Sequence, residues 1–252
     1  MIGISCTHFC SRPVSEWIDP IAENFRHWEI FSEADHAITR DTDALADLLS
    51  TYDMSYSVHS PICDMNIGSM TDRLRQASIN ELVETAKAAN RIGIEVMTVH
   101  PGLDSMSVHG VTERSVERAK AAMRDIEHAS HEYGVMMAIE NMPEMPFFLG
   151  RTAEALAHIV DGTDLGICFD IGHANTCGQI DSMIDAFGDR IVNIHIHDNH
   201  GERDEHLTIG DGSIDFEPII KRLSGYRGNY IIESRDFDSA VVSQSRLGPL
   251  LS

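Results

Sequence analysis

Residues 165–174 read LGICFDIGHA. Leu165, Ile167, Cys168 and Phe169 form a short, continuous apolar run, the mark of a strand buried on both faces of a parallel sheet. The run ends on a charged residue, Asp170, and His173 follows three positions later. A carboxylate at the end of a buried strand costs desolvation energy unless a partner compensates it. The pattern recurs on either side. Upstream, YSVHS (56–60) carries His59, VMTVHPG (96–102) carries His100 and MMAIEN (136–141) carries Glu140. Downstream, NIHIHD (193–198) carries His195 and His197, and YIIES (230–234) carries Glu233.

With two further β-rich runs there are eight strand candidates, at 2–6, 28–31, 55–59, 95–100, 135–140, 165–170, 191–197 and 230–233. Amphipathic stretches separate them. TDALADLLSTY (42–52) sets Leu45, Leu48 and Leu49 on one face, and 72–92 does the same with Leu74, Ala77, Leu82, Ala86 and Ala89. Further helical patterns occupy 111–133, 152–160, 181–187 and 216–223. Strands alternating with helices imply a parallel sheet joined by crossovers. In a chain of 252 residues, a closed (β/α)8 TIM barrel, of α/β class, is the economical solution. A doubly wound open sheet would announce itself by a Gly-rich turn after the first strand; here that turn is CTHFCSRP (6–13). No linker or low-complexity segment interrupts the chain, so one domain over 1–252 is expected.

The C-terminal ends of barrel strands form the active-site face. Six strands then aim His, Asp or Glu into one mouth, which predicts a divalent-metal site whose imidazole and carboxylate ligands suit zinc or manganese. Taken singly, a strand-end His is an ordinary hydrogen-bonded residue and a lone Glu can cap a turn; six at one end are not explained that way. The segment RDEHLTIGDG (203–212) adds Asp204 and His206, and its Gly210 and Gly212 suit a turn folding back over the site. His8, closing the first strand, is within reach of the mouth. His27, His36, His109, His128, His131 and His158 fall on helices or early loops and read as surface residues. Arg235 can meet a substrate phosphate or carboxylate, or pair with a neighbouring acid. The stretch MAIENMPEMPFF (137–148) either lines a pocket or packs in the core. The pattern does not place His197 or His200.

Composition narrows the chemistry. Lys and Arg total 19 against 40 Asp and Glu, a formal charge of −21, which argues against a broad nucleic-acid face because phosphate binding relies on basic side chains. The only lysines, Lys87, Lys120 and Lys221, lie in helical segments, so a strand-end Schiff base is ruled out. There is no G-x-S-x-G elbow. Cys6, Cys10, Cys63, Cys168 and Cys177 are odd in number without a C-x-x-C pair, which fits a reducing compartment, and Cys6 and Cys10 read as core rather than nucleophiles. The N-terminal MIGISCTHF is not a signal peptide and no apolar run spans a membrane, so a cytoplasmic location is expected.

The motifs HSPICDMNIGS (59–69), VHPG (99–102), AIEN (138–141), CFDIGHA (168–174), HIHDN (195–199), DEHLTIGDGSIDF (204–216) and IIES (231–234) together resemble the xylose-isomerase-like barrel superfamily, which joins sugar isomerases and epimerases to endonuclease IV. The likeness runs along the whole chain. The epimerase branch implies one metal held by Glu140, Asp170, His195 and Glu233, with Glu140 and Glu233 also acting as an acid–base pair that moves a proton through a metal-stabilised enediolate. His173 then contacts a small carbohydrate substrate. The endonuclease IV branch implies up to three zinc ions on nine residues: His59, His100, Glu140, Asp170, His173, His195, Asp204, His206 and Glu233. All nine are present. Epimerases of this type carry Arg where this chain has His206, which puts that substrate clamp in doubt. Against the nuclease, FSEADHAITRDTD (31–43) is acidic where the endonucleases place DNA-penetrating basic and aromatic residues. Three readings therefore stand: a metal-dependent sugar or sugar phosphate isomerase or epimerase; a trinuclear phosphodiester hydrolase, including an abasic-site endonuclease; and a binding barrel without turnover, which would leave the strand-end charges without a purpose.

Overall fold

The computed structural model describes residues 1–105 and 108–251. Eight strands close into a parallel barrel in sequence order: β1 (Ile2–Ser5), β2 (His27–Phe31), β3 (Ser55–His59), β4 (Val96–Val99), β5 (Met136–Glu140), β6 (Gly166–Asp170), β7 (Ile191–Ile196) and β8 (Tyr230–Glu233). Closure is made by β1 against β8, with Ile4 opposite Ile232 and Ser5 opposite Glu233. Sequence-expected strands agree with these to within one or two residues, the ordinary uncertainty of an element's end.

Around the barrel lie α1 (Val14–Asn24), α2 (Thr42–Leu49), α3 (Asp72–Ile92), α4 (Thr112–Tyr133), α5 (Ala153–Val160), α6 (Ile171–Thr176), α7 (Ile180–Phe187), α8 (Phe216–Arg222) and α9 (Phe237–Leu247). The long helices α3 and α4 each turn an alanine-rich stripe inward, including Ala86 and Ala89 in one and Ala119 and Ala122 in the other, all buried. Small residues on that stripe let the helices lie close to the sheet. Each of the two ends on a glycine with left-handed backbone, Gly93 at φ +89° and Gly134 at φ +65°, a conformation that costs glycine nothing. The core between helices and barrel centres on Phe9, Trp28, Phe25, Phe169 and Leu82; burying each such side chain contributes roughly 1.5–3 kcal/mol.

Two expected surface histidines are instead buried: His27 and His36, at 2% and 1% exposure. His27 begins β2 and points into the base of the barrel, where its ring nitrogens meet Ser55 Oγ at 2.8 Å and Ser57 Oγ at 2.9 Å. His36 packs edge-on against Trp28, the ring centroids 5.6 Å apart. Both follow from tertiary packing of polar side chains that period alone assigns outward. His109, His128, His131 and His158 are exposed as expected. His8 is exposed beside Trp17 and does not line the mouth. Among the described residues, no helix is long and apolar enough to cross a membrane.

Candidate metal centre and active site

The stretch CFDIGHA shows how the fold builds the site. β6 ends at Asp170, and α6 starts at the next residue. Asp170 is therefore both the last strand residue and the helix N-cap, its Oδ1 accepting from the His173 backbone N–H at 2.6 Å. One helical turn carries His173 to the same mouth. Asn141, following β5, fastens the neighbouring strand end: its Oδ1 accepts from Asp170 N and its Nδ2 donates to Asp170 O, both at 2.9 Å.

Glu140 lies on the floor, 1% exposed. Its Oε2 faces His59 Nε2 at 3.4 Å and His100 Nε2 at 3.0 Å, and its Oε1 faces His195 Nδ1 at 2.9 Å. Glu233 Oε1 approaches the same His195 nitrogen at 3.2 Å, and Asp170 Oδ2 stands 4.0 Å from it. His, Asp and Glu donor atoms fall into three clusters, each within 4.8 Å: Glu140, Asp170, His195 and Glu233; His59, His100 and Glu140; and His173, His197, Asp204 and His206; a further grouping sets Cys168 beside Glu140 and His195. All nine residues singled out from the sequence are thus brought to one mouth. Arg235 stands at the rim of the cavity, with Glu205 beside it among the lining residues. His200 is exposed and meets Glu205 Oε2 at 2.8 Å, outside these clusters.

Whether these residues suit a metal ion can be read from their backs. His59 Nδ1 donates to the carbonyl of Ser60 at 2.8 Å, His173 Nδ1 to the carbonyl of Asn141 at 2.9 Å, and His195 Nε2 to Glu29 Oε1 at 2.7 Å. These oxygens only accept, so each rear nitrogen carries a proton and each forward nitrogen faces a carboxylate. Histidines that ligate metals are oriented from behind by acceptors in this way. Asp170 Oδ2 and Asp204 Oδ1 are buried without a hydrogen-bond partner, an expense that cation binding relieves. The donor set fits a divalent ion.

Electrostatics agree. Burial pushes Glu140 upward, but His195, His100 and His59 outweigh it and hold the carboxyl well below its usual range. At His195 and His173 burial presses downward but is overcome, by Cys168, Glu233, Glu29 and Glu140 around the first and by Asp170, Asp204 and Glu140 around the second, and both imidazoles stand well above their usual range. His206 rises to about 9, with Asp204 prevailing over burial. Protons on these nitrogens occupy the positions an ion would take, so binding of an ion would release them.

Glu29 was not anticipated. It sits in the middle of β2, wholly buried, where HWEIF offers a lone acid inside an apolar run. Besides His195, it accepts from Ser57 Oγ at 2.8 Å and Asn193 Nδ2 at 2.7 Å. Desolvation is outweighed by His195 and His59, leaving the carboxyl at about 2. His197, unplaced from the sequence, is fully buried within the third cluster.

Above the floor is a cavity of about 300 Å³, walled in part by Cys6, Phe31, Ile62, Met142 and Phe148. The Met-rich stretch therefore does contribute to the pocket. Cys6 and Cys10 are buried, their thiols pushed up to about 11 and 12 by desolvation, as befits neutral core residues.

The chain belongs to the xylose isomerase-like TIM barrel family, whose model matches residues 19–247. An uncharacterised Methanocaldococcus jannaschii protein, MJ1311, is 33% identical over 255 residues, spanning 97% of this chain and 87% of that protein. The crystal structure of a D-tagatose 3-epimerase-like protein superposes with a TM-score of 0.92 at 32% identity, covering 100% of this chain and 97% of that one. A probable endonuclease 4 of Thermoplasma volcanium is 31% identical over 179 residues, 65% of this chain and 60% of that protein.

Proposed function

We propose that the chain, working as one domain in the cytoplasm, is a metal-dependent isomerase or epimerase of a small carbohydrate, free or phosphorylated. One observation carries the reading: Glu140 and Glu233 approach the same nitrogen of His195, at 2.9 and 3.2 Å, and both line a cavity of about 300 Å³. That volume suits a small molecule. Glu140, Asp170, His195 and Glu233 would hold the ion, zinc or manganese. When bound, the ion supplies a Lewis acid that polarises a substrate carbonyl.

The remaining work belongs to the side chains. One glutamate takes the proton from the carbon beside the carbonyl and the other returns a proton to the opposite face, inverting that carbon. His173 and His100 border the same space and orient hydroxyls. Arg235 receives an anionic end of the substrate. The apolar wall of Phe31, Ile62 and Phe148 limits water around the reacting carbon.

The test is proton exchange. Ketoses and ketose phosphates are incubated in D2O with Mn2+-loaded protein, and NMR follows deuterium entering at the carbon beside the carbonyl. Exchange is expected in the parent, with a loss on the order of 10²-fold or more in Glu233→Gln. No exchange across the panel, with cleavage of an abasic DNA duplex by the same preparation, would reverse the assignment. That second reading, phosphodiester hydrolysis, is favoured by the three adjoining clusters of His, Asp and Glu and by the likeness to a probable endonuclease 4. The charge of −21 opposes it, and so does the loop after β2. There Glu33 Oε1 accepts from Ile62 N and Cys63 N, both at 2.6 Å, so the loop is pinned to its neighbour by an acid.

A further inference from the structure

A second cavity, of about 230 Å³, adjoins the first and shares Ile62, His100 and Phe148 with it. Its chemistry is different. Glu140, Asp204, Glu205, Glu233 and Arg235 line the first. Among the described residues no Asp, Glu, Lys or Arg lines the second, whose walls include Met65, Ile67, Leu82, Val99, Leu103 and Phe147. Of the polar side chains there, Asn66 is already engaged. Its Oδ1 accepts from Gly68 N at 2.8 Å and Leu103 N at 2.9 Å, and its Nδ2 donates to Leu103 O at 3.1 Å. Ser60 is not engaged: it is fully buried, and its Oγ has no hydrogen-bond partner among the described residues. A ligand oxygen at that hydroxyl removes the cost of leaving it unpaired.

The backbone holds this cavity open. Asp104 N donates to Phe147 O at 2.8 Å and Leu149 N to Gly102 O at 3.2 Å, and Leu103 pairs with Phe148 in an antiparallel bridge. Asn66 fastens the loop after β3 to the same segment, so the loops after β3, β4 and β5 form one unit. Two glycines permit the close approach. A Cβ on Gly68 would stand 3.0 Å from Leu103 O, and Gly102 takes a left-handed φ of +106°. Walls fixed in this way make a preformed pocket.

We infer that this cavity is a subsite for an apolar substituent on the substrate, an aryl or short alkyl group whose one oxygen accepts from Ser60 Oγ; as a substrate subsite it rests on the carbohydrate reaction proposed above. An apolar cavity of about 150 Å³ holds benzene, so about 230 Å³ has room for a phenyl ring and a short arm. The two cavities meet beside the reacting groups. His100 borders both, and its Nε2 stands 3.0 Å from Glu140 Oε2. A carbohydrate with its reacting carbon at Glu140 therefore reaches the second cavity past one side chain, between Ile62 and Phe148. An anionic end stays in the first cavity with Arg235, because the second offers no counter-charge. The substrate so defined is a keto-sugar etherified or esterified at a hydroxyl remote from the reacting carbon.

The first arm of the test needs no activity. The full metal-free chain is titrated with benzyl alcohol and with toluene, each followed by ligand-observed NMR. Both are expected to bind the parent. Met65→Trp, which fills the cavity, should abolish binding of both. Ser60→Ala should weaken benzyl alcohol about 3- to 10-fold and leave toluene unchanged, a difference that stands even if Met65→Trp does not fold. Binding of neither probe, or equal binding in parent and variants, overturns the subsite. The second arm uses Mn2+-loaded protein and the deuterium-exchange assay above, comparing ketoses with their terminal benzyl ethers. The ether is expected to have a kcat/KM about tenfold or more above that of the free ketose in the parent, with the preference lost in Met65→Trp. Equal values in the parent would overturn the cavity's role in substrate binding. If neither compound is exchanged while benzyl alcohol binds as described, the reaction proposed above fails and the apolar subsite stands.

Discussion

Glu29 is the residue whose consequences are easiest to test. A buried carboxylate without a cation nearby is among the costlier groups a core can hold. Here it is sustained by three hydrogen bonds, of which the 2.7 Å bond from His195 Nε2 points toward the donor cluster. That bond fixes which nitrogen of His195 is protonated and keeps Nδ1 directed at Glu140 and Glu233. Glu29→Gln removes the charge while preserving shape, so binding of Mn2+ or Zn2+ is expected to weaken about 10- to 100-fold. Isothermal titration of the metal-free protein measures it, and an unchanged affinity would show that Glu29 only fills space. The sequence made the strand-end ligands legible because each terminates an apolar run. It hid Glu29 because a mid-strand acid is recognisable only after barrel closure sets it against a histidine 166 positions away. The same applies to His197, whose partners, Gly172 and His206, reach it from α6 and from a loop.

At the scale of elements, α3 and α4 were legible almost to the residue because long amphipathic periods outlast local noise. Helices α1, α6 and α9 were not. α1 contains Pro20, α6 has only six residues, and α9 reads FDSAVVSQSRL, poor in strong helix formers and dependent on its Asp236 cap. The loop after β7 was read as a glycine turn that brings Asp204 and His206 to the site, but its organiser, Asp198, was not singled out. That carboxylate accepts from Gly210 N and Gly212 N through Oδ2, and from Asn199 N and Ile214 N through Oδ1. Gly212 has no φ requirement, but a Cβ there would meet Asp198 Oδ1 at 2.3 Å. Asp198→Ala leaves four backbone donors without this partner, and a loss of about 2–4 kcal/mol is expected. Gly212→Ala should act in the same direction by displacing the carboxylate. Chemical denaturation gives the loss, and limited proteolysis should place the new cleavage within 198–214 while the helical signal persists. Equal cleavage in parent and variants would mean that the loop is organised by other contacts.

The whole molecule couples its stability to pH through histidines remote from the mouth. His27 at the barrel base and His36 against Trp28 are each lowered to about 4, chiefly by desolvation. In the unfolded chain they titrate near 6.5. Between those values the unfolded state binds more protons than the folded one, so stability is full above pH 6.5 and declines as pH falls toward 4. A displacement of that size corresponds to at most about 3 kcal/mol per histidine. His206 works in the opposite sense: raised to about 9, it contributes stability that is complete below pH 6.5 and is lost as pH rises through 9. It is protonated in both states in the acid window and leaves no trace there. Glu29, at about 2, gives up its contribution below that window, between roughly pH 4.5 and 2. From pH 6.5 to 4.5 His27 and His36 act in the same sense as His100 at the mouth, which burial also lowers. His36 is the cleaner probe because neither of its buried nitrogens has a hydrogen-bond partner. His36→Phe keeps the aromatic edge on Trp28 and removes those nitrogens, so the melting temperature at pH 7.5 should be unchanged or higher. Measured with chelator present, the parent should lose stability more steeply than the variant between pH 6.5 and 4.5. Parallel slopes for parent and variant would show that His36 is protonated without penalty in the folded chain, and would leave the acid sensitivity to His27 and His100.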